Sequence, residues 1–465
     1  MAPRRAGSHM PACSEWPRSG WRTAACERML RRAPELQRRC RSRSPILAAA
    51  AAHYHRCQLL RHHCDQGETM AGALDGVRVL DLSTLVQGPQ AAAMLHGLGA
   101  EVIKIELPQV GDVGRHVDVL EDYGHSSVYI ACNRGKRSVT LDLRVDVGKE
   151  AFLKLVETSD VVLSNFKPGT LDEWGLGYDD LAAVNPGIIW AAGSFLGPYG
   201  PEADREGADI AGQASGGVIA SSGFDGGPLS TYGALVADHC GAQNLQTGIL
   251  AALYARERTG RGQRVDVSLL GGQIWLQAVE YTHLLLTGEE AGRSNGGHPL
   301  VHALYGVFPT SDGAIAMAGC PEHLWPGMCR AIERPDLEDH PQWNAYFVPR
   351  EVALELRAFF AEVFATRSTE EWSKRLEAEE QRFCAVRSHS EVVANEQPYA
   401  NGYLVKAGHD EWGTQTWVGC PITMSDTPTR PGIDVAELGQ HTEEALLEAG
   451  VEWDDLERWR EAGAW

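Results

Sequence analysis

The chain has 465 residues and a formal charge of −20, long for one hydrophobic core, so two domains or a dimer-forming elaboration is expected. Hydrophobic residues make up 43% and charged residues 22%, ordinary for a globular protein, and no run of about 18 uncharged apolar residues offers a membrane span. The acidic balance argues against nucleic acid as the main partner.

Residues 1–69 stand apart from the rest. They hold 13 of the 42 basic residues and 5 of the 62 acidic ones, a net of +8 that leaves −28 for residues 70–465. They show neither helical nor strand periodicity and are not expected to build a core. The reading is of a disordered or non-native Arg-rich leader with Met70 as the start. A mitochondrial transit peptide is the alternative, and Gly7-Ser8-His9-Met10 resembles a tag remnant. The cluster His53, His55, Cys57, His62, His63 and Cys64 fits none of the paired spacings of a tetrahedral zinc site, so no metal is expected. The six cysteines beyond it (Cys132, Cys240, Cys320, Cys329, Cys384 and Cys420) contain no CxxC and read as free thiols of a reducing compartment. That compartment is the cytoplasm, or the mitochondrial matrix if the leader is a transit peptide.

From Val77 the pattern alternates. Val77–Leu82 reads as a strand. Pro89 sits where a first helical turn tolerates proline, and Ala91–Leu95 continues as helix to Gly97. Glu101–Glu106 is the next strand, completing a βαβ unit with parallel neighbours. Glu150–Thr158 reads as a helix, Val161–Leu163 as a strand, Leu181–Val184 as helix and Ile188–Trp190 as a strand. The expected fold class is α/β with a doubly wound, Rossmann-like parallel sheet, whose ligands lie at the carboxyl ends of the strands. A dinucleotide is not expected, because Gln87-Gly88-Pro89-Gln90-Ala91 lacks the glycines that admit a pyrophosphate. Glu106 then reads as a structural or solvent-side acid.

Four cations (Arg134, Lys136, Arg137 and Arg144) fall within eleven residues, either an anion site or a solvated basic turn. The glycine-rich run from Arg205 to Gly227 permits close backbone approach to a ligand and offers N–H groups to an oxyanion, or is a surface loop. A long helix is predicted from about residue 239 to 257, ended by Gly260, with a strand from Gln263 to Leu269. Asp238 falls at or beside its N-cap, where aspartate accepts an orphan N–H. The helix N-terminus would also keep the carboxylate ionised and ready to attack an activated carbonyl.

Taken in order, these segments resemble family III CoA-transferases, the formyl-CoA transferase and carnitine CoA-transferase family. The resemblance is carried by Leu74–Leu82, Gly99–Glu106, Gly111-Asp112, Asn133–Ser138 through Leu143, Asn165-Phe166-Lys167-Pro168-Gly169, Gly175–Tyr178, Asn185-Pro186, Gly197–Pro201 and Thr259–Val267. It implies that Asp238 is the nucleophile. It implies CoA contacts at Val86, Gln87, Leu141, Arg144, Asn165, Phe166, Lys167 and Arg205. Glu173 and Leu107 stand where many members have arginine, with Arg144 and Lys167 as compensating cations.

The resemblance further implies transfer of CoA from an acyl-CoA to a free carboxylic acid through covalent aspartyl intermediates. The CoA thioester would be a co-substrate, with no permanently bound cofactor and no metal. Gly216, Gly217, Gly226 or Gly227 would serve the oxyanions. It implies an intertwined homodimer with a large domain of residues 70–290 and 405–465 and a smaller α+β domain of residues 300–400. His298, His302 and Tyr305 would lie near the acceptor pocket, with oxalate, succinate, carnitine-like or aromatic acids as acceptors. An α-methylacyl-CoA racemase is an alternative, but the histidine it needs matches Ala208, although His239 stands nearby. A non-catalytic acyl-CoA-binding protein is another, and the intact Asp238 argues against it.

Overall fold

The computed structural model describes residues 72–344 and 348–465; the expectations for residues 1–69 lie outside it. Six parallel strands form the main sheet: β1 (Arg78–Asp81), β2 (Glu101–Glu106), β3 (Arg137–Thr140), β4 (Val161–Ser164), β5 (Ile189–Ser194) and β6 (Arg264–Ser268). Their spatial order, β3-β2-β1-β4-β5-β6, is the doubly wound arrangement that leaves a crevice where the order reverses, between β1 and β4.

The two-residue period of the strands sorts their side chains into two cores. Leu80, Val162 and Trp190 face one layer, packed by Phe152 and Leu155 of α2 (Asp146–Glu157) and by the chain's C-terminal helices α8 (Thr442–Glu448) and α9 (Trp453–Glu461), through Leu446, Leu456 and Trp459. Val79, Val161, Leu163, Ile189 and Ala191 face the other, filled by Ala91, Ala92 and Leu95 of α1 (Gln87–Gly97) and by Leu245, Ile249 and Leu253 of α4 (Val236–Thr259). The long helix is longer than its periodicity suggested, and Gly260 (φ 69°) closes it in the left-handed conformation that glycine adopts without penalty. Between β5 and α4 lies the short helix α3 (Asp209–Ser215). After β6 come α5 (Leu269–Leu276) and α6 (Ala278–Thr287).

A third core is built separately within residues 304–376. It lies against an antiparallel sheet of β7 (Gly297–His298), β8 (Val301–Pro309), β9 (Ala314–Ala318) and β10 (Phe383–Ala385), with Leu356, Phe360 and Phe364 of α7 (Arg350–Phe364) inside it. No described helix is long and apolar enough to cross a membrane. No group of three or more His, Cys, Asp or Glu among the described residues is placed to hold a metal ion.

The basic cluster of the sequence proves to be largely interior. Lys136 is 4% exposed, and its Nζ donates to Asp81 Oδ2 (2.7 Å), Pro89 O (2.9 Å) and Asn133 Oδ1 (2.8 Å). Lys104, 1% exposed, lies 2.8 Å from Asp112 and 3.8 Å from Asp81. Burial works against the Asp81 carboxylate, but Lys104 and Lys136 outweigh it and hold the carboxyl below its usual range. Arg137 is paired with Glu101 and Glu448, and Arg134 is bonded to Val418 O. An anion site across this cluster is therefore corrected to a set of internal ion pairs, with Arg144 alone facing solvent. Glu106 is structural, buried and bonded to Arg115, Ser138 and the Asp112 N–H.

Replacing Asp81 by alanine removes the carboxylate paired with the buried Lys136 and leaves Lys104 with Asp112. Asp81→Ala is expected to cost about 3–5 kcal/mol, the usual consequence of removing one partner from a buried pair, read from the urea unfolding midpoint. A loss below about 1 kcal/mol, the range of ordinary substitutions, would show that the lysines find other compensation.

Candidate active site

The loop after β1 and the loop after β4 meet across the crevice. Asn165 accepts from Thr84 N and donates to Thr84 O, each at 2.8 Å, so one amide fixes both loops. Leu85 takes φ 64°, an uncommon conformation for leucine, and its N–H donates to Asp112 Oδ1 at 2.9 Å. This turn delivers Val86 and Gln87, 6% and 4% exposed, into the start of α1.

Gln87 lies between two glycines. A side-chain carbon at Gly193 of β5 would stand 2.4 Å from its Oε1, and one at Gly241 of α4 would stand 2.6 Å from its Nε2. A side chain at either position would displace the amide. The buried Nε2 has no hydrogen-bond partner among the described residues, a costly state for a donor. Gly241 is three residues beyond Asp238 on α4, so the two share a helix face and Gln87 packs against the side of the helix that carries Asp238.

Asp238 is not the cap of α4. It is the third residue of the helix, and Leu235 at the N-cap supplies no side-chain bond. The cap comes from α3. Asp209, 6% exposed, accepts from Ala237 N at 2.8 Å and from Asp238 N at 3.1 Å through Oδ1. None of the described residues donates a hydrogen bond to the Asp238 carboxylate. Burial, followed by the Asp209 charge, raises its pKa to about 7. The expectation of a carboxylate held ionised by the helix N-terminus is corrected, because a second carboxylate already occupies the orphan N–H groups.

The other expected contacts are spread along the carboxyl edge of the sheet. Leu141 is buried directly after β3, and Arg144 makes a two-bond pair with Asp142, both at 2.8 Å, with its side chain 59% exposed. Phe166 packs edge-on to Trp174, with ring centroids 6.0 Å apart. It lines a cleft with the exposed Lys167 and with Trp190 and Arg264. Arg205 is exposed, paired with Glu202 and placed 6.0 Å over the Phe195 ring.

The glycine candidates for an oxyanion site fare less well. The N–H groups of Gly216, Gly217 and Gly227 are bonded to Gly212 O, Ala214 O and Phe224 O. Gly216 is a packing requirement, since a side-chain carbon there would fall 2.2 Å from Gln273 Cβ. Gly226 adopts φ 71° with open space around it. His298 Nε2 lies 2.5 Å from Glu280, and its ring meets Tyr305 edge-on at 6.4 Å. The side chain of His302 lies outside the described residues. His239 is exposed, and as the next residue along α4 it points about 100° away from Asp238. Sequence reasoning gave Asp209 no role beside Asp238. The available signal was the spacing Asp209…Gln213, an (i, i+4) carboxylate–amide pair at a helix start.

Comparison with known proteins decides the family. The profile described as CoA-transferase family III matches residues 74–442. The chain belongs to CoA-transferase family III. It is a CoA-transferase, moving CoA between an acyl-CoA and a carboxylic acid. It is 35% identical to a succinyl-CoA:mesaconate CoA-transferase of Haloarcula hispanica over 392 residues, 82% of this chain and 97% of that one. It is 32% identical to a formyl-CoA:oxalate CoA-transferase of Streptomyces avermitilis over 413 residues, 83% of this chain and 98% of that one. Among solved structures, a CAIB/BAIF family protein from Brucella suis superposes with a TM-score of 0.72 at 28% identity, covering 82% of this chain and all of that one.

The raised pKa of Asp238 has a consequence for stability. An acid whose folded pKa lies above its unfolded value destabilises the folded chain increasingly as pH rises between the two, and by a constant amount above the folded value. Asp238→Asn removes that penalty. Its melting temperature relative to the parent is expected to climb by several degrees from pH 4 to pH 7 and then level off. A difference that does not change with pH would show that Asp238 titrates normally.

Proposed function

We propose that this transferase works through covalent intermediates on Asp238, with a short dicarboxylic acid as acceptor. The observation that carries the reading is the unpaired, half-buried Asp238 carboxylate beside Asp209. Attack discharges it into a neutral anhydride, so the burial cost and the Asp209 repulsion that raise its pKa are both relieved as the bond forms. An Asp238 oxygen attacks the thioester carbonyl, the C–S bond breaks, and a mixed anhydride and CoA thiolate result. The thiolate then attacks the aspartyl carbonyl, releasing the donor acid and leaving an aspartyl–CoA thioester. The acceptor carboxylate displaces the thiolate to form a second anhydride. Thiolate attack on its acyl carbon gives the new acyl-CoA and restores Asp238. The spare N–H of Gln87 would serve the oxyanions of these steps.

Val86, Leu141 and Asn165 follow β1, β3 and β4, so a CoA lying along this edge meets all three. Phe166 and Lys167 would flank its nucleotide, and Arg144 and Arg205 would exchange their carboxylate partners for phosphate. CoA enters as a co-substrate. The separate core of residues 304–376 supports a small domain of residues 300–400 set beside a large one of residues 70–290 and 405–465. Trp275, Val279, Leu285 and Leu286 are 61–82% exposed along α5 and α6, an apolar band that supports the intertwined homodimer. The buried, unpaired thiols Cys132, Cys320 and Cys329 fit a reducing compartment, the cytoplasm. The dicarboxylic acceptor rests on the acids named for the relatives, mesaconate and oxalate.

The test is to incubate the protein with succinyl-CoA, trap with hydroxylamine or borohydride, and map the peptides. Label at Asp238 is expected, together with loss of transfer to mesaconate but retention of CoA binding in Asp238→Asn. The acidic limb of kcat/KM should have its midpoint at a pH of about 7, with activity falling below it. Full turnover by Asp238→Asn would end the covalent scheme, and deuterium entering an acyl α-carbon without label would favour the racemase.

A further inference from the structure

Between the glycine-rich run and the nucleophile lies the exposed segment of residues 222–235, with Phe224, Leu229 and Tyr232 all more than half exposed. It is tied at two places. Near its start the Arg293 guanidinium spends its N–H groups on backbone carbonyls, those of Ser222, Phe224, Gly227 and Pro228, at 2.5–2.9 Å. Near its end Thr231 Oγ1 donates to Gln213 Oε1 at 2.6 Å, and Tyr232 N donates to the same oxygen at 3.2 Å.

Gln213 is 1% exposed, and its amide is used at both ends. While Oε1 holds the segment, Nε2 donates to Asp209 Oδ2 at 2.6 Å. The other oxygen of that carboxylate caps α4 at Ala237 and Asp238. The path from the exposed segment to the backbone of Asp238 thus runs through one side-chain amide and one carboxylate. Both are buried, where hydrogen bonds are stiff and an unmade one is costly. Of the charged groups packed against Asp238, the Asp209 carboxylate is the one that bears on it, and it bears on the neighbouring Cys240 thiol as well.

We propose that Gln213 is a positioning residue for the transfer reaction: it couples the seating of segment 222–235 to the carboxylate that caps the nucleophile's helix. When the segment is seated, Asp209 is held with one oxygen on Gln213 and one on the first turn of α4, and Asp238 keeps a fixed backbone with a free side chain. When the segment lifts, Gln213 loses its anchor, Asp209 is released to turn, and the first turn of α4 loses its cap. The catalytic half of this proposal rests on Asp238 being the nucleophile; the mechanical half does not.

Two measurements separate these halves. The first is amide hydrogen exchange on the intact chain and on Thr231→Val, a substitution at an exposed position that removes the hydroxyl from Gln213. The N–H groups of Ala237 and Asp238, which Thr231 does not touch, are expected to exchange about tenfold faster or more in the variant. Unchanged exchange there overturns the coupling, whatever Asp238 does chemically.

The second is steady-state transfer from succinyl-CoA to mesaconate by Thr231→Val, by Gln213→Glu and by the double variant. Gln213→Glu keeps the acceptor for Thr231 and Tyr232 but, once ionised, loses the donor to Asp209. Each single variant is expected to lower kcat by about tenfold with KM for succinyl-CoA within about twofold, and the double variant to be no worse than the poorer single one. Independent losses that multiply, or a kcat left intact while the amides exchange faster, would overturn the positioning role. Trapping at Asp238 in the parent protein tells failure of this proposal from failure of the covalent scheme.

Discussion

The site depends on a set of opposite charges buried among the first three strands. Asp81 ends β1, Lys104 lies in β2, and Lys136 precedes β3; with Asp112 they balance to neutrality with almost no exposure. Such pairs add little net stability over apolar packing of the same volume, since desolvation offsets attraction. What they contribute is position. Lys136 holds Pro89 O at the start of α1, Lys104 reaches Ser83 O, and Asp112 receives Leu85 N. Three bonds from three charged groups therefore fix the turn that carries Val86 and Gln87, including its left-handed leucine.

The opposite side of the site is organised by two carboxylates with divided duties. Capping a helix and attacking a thioester make conflicting demands on one aspartate. A capping oxygen is committed to N–H groups that lower its basicity, whereas a nucleophile needs a free lone pair. Asp209 takes the capping duty from a separate helix, and its charge adds to burial in raising the pKa of Asp238. The reasoning that a carboxylate in the first turn of a helix must be strongly acidic fails here because the helix field is already answered. With burial and the Asp209 charge together raising its pKa to about 7, Asp238 is balanced near neutral pH between its two protonation states.

Much of the scaffold was legible in the sequence. The βαβ rhythm from Val77 to Trp190 and the glycine that stops α4 have local causes: aliphatic runs and a missing Cβ. The ordered motifs from Leu74 to Val267 pointed to the family and, with it, to Asp238. What could not be read were pairings across long sequence gaps. Arg134, Lys136 and Arg137 look like a solvated cluster until β1, β2 and α8 bring Asp81, Glu101 and Glu448 against them, the last 311 residues from Arg137. Gly193 and Gly241 carry no local signal, because their purpose is to leave room for Gln87, a residue more than a hundred positions earlier. The run from Gly216 to Gly227 misled in the other direction, since three of its four candidate N–H groups close turns of their own.

These constraints divide the molecule into a part that is fixed for chemistry and a part left free for selection. Gln87, Gly193, Gly241, Asp209 and Asp238 lock one another: enlarging either glycine displaces the amide, and moving Asp209 uncaps the helix. Under the proposed mechanism a change among these five residues disturbs the reaction itself. The histidine and tyrosine of residues 298–305, by contrast, belong to strands beside the separate third core, where His298 is oriented by Glu280 and Tyr305 rather than by the ion pairs of the main sheet. Under the proposed scheme a change of acceptor would reshape this second surface and leave the order of covalent steps intact. Relatives that share about a third of their residues with this chain and carry names with different acids are what such a division produces.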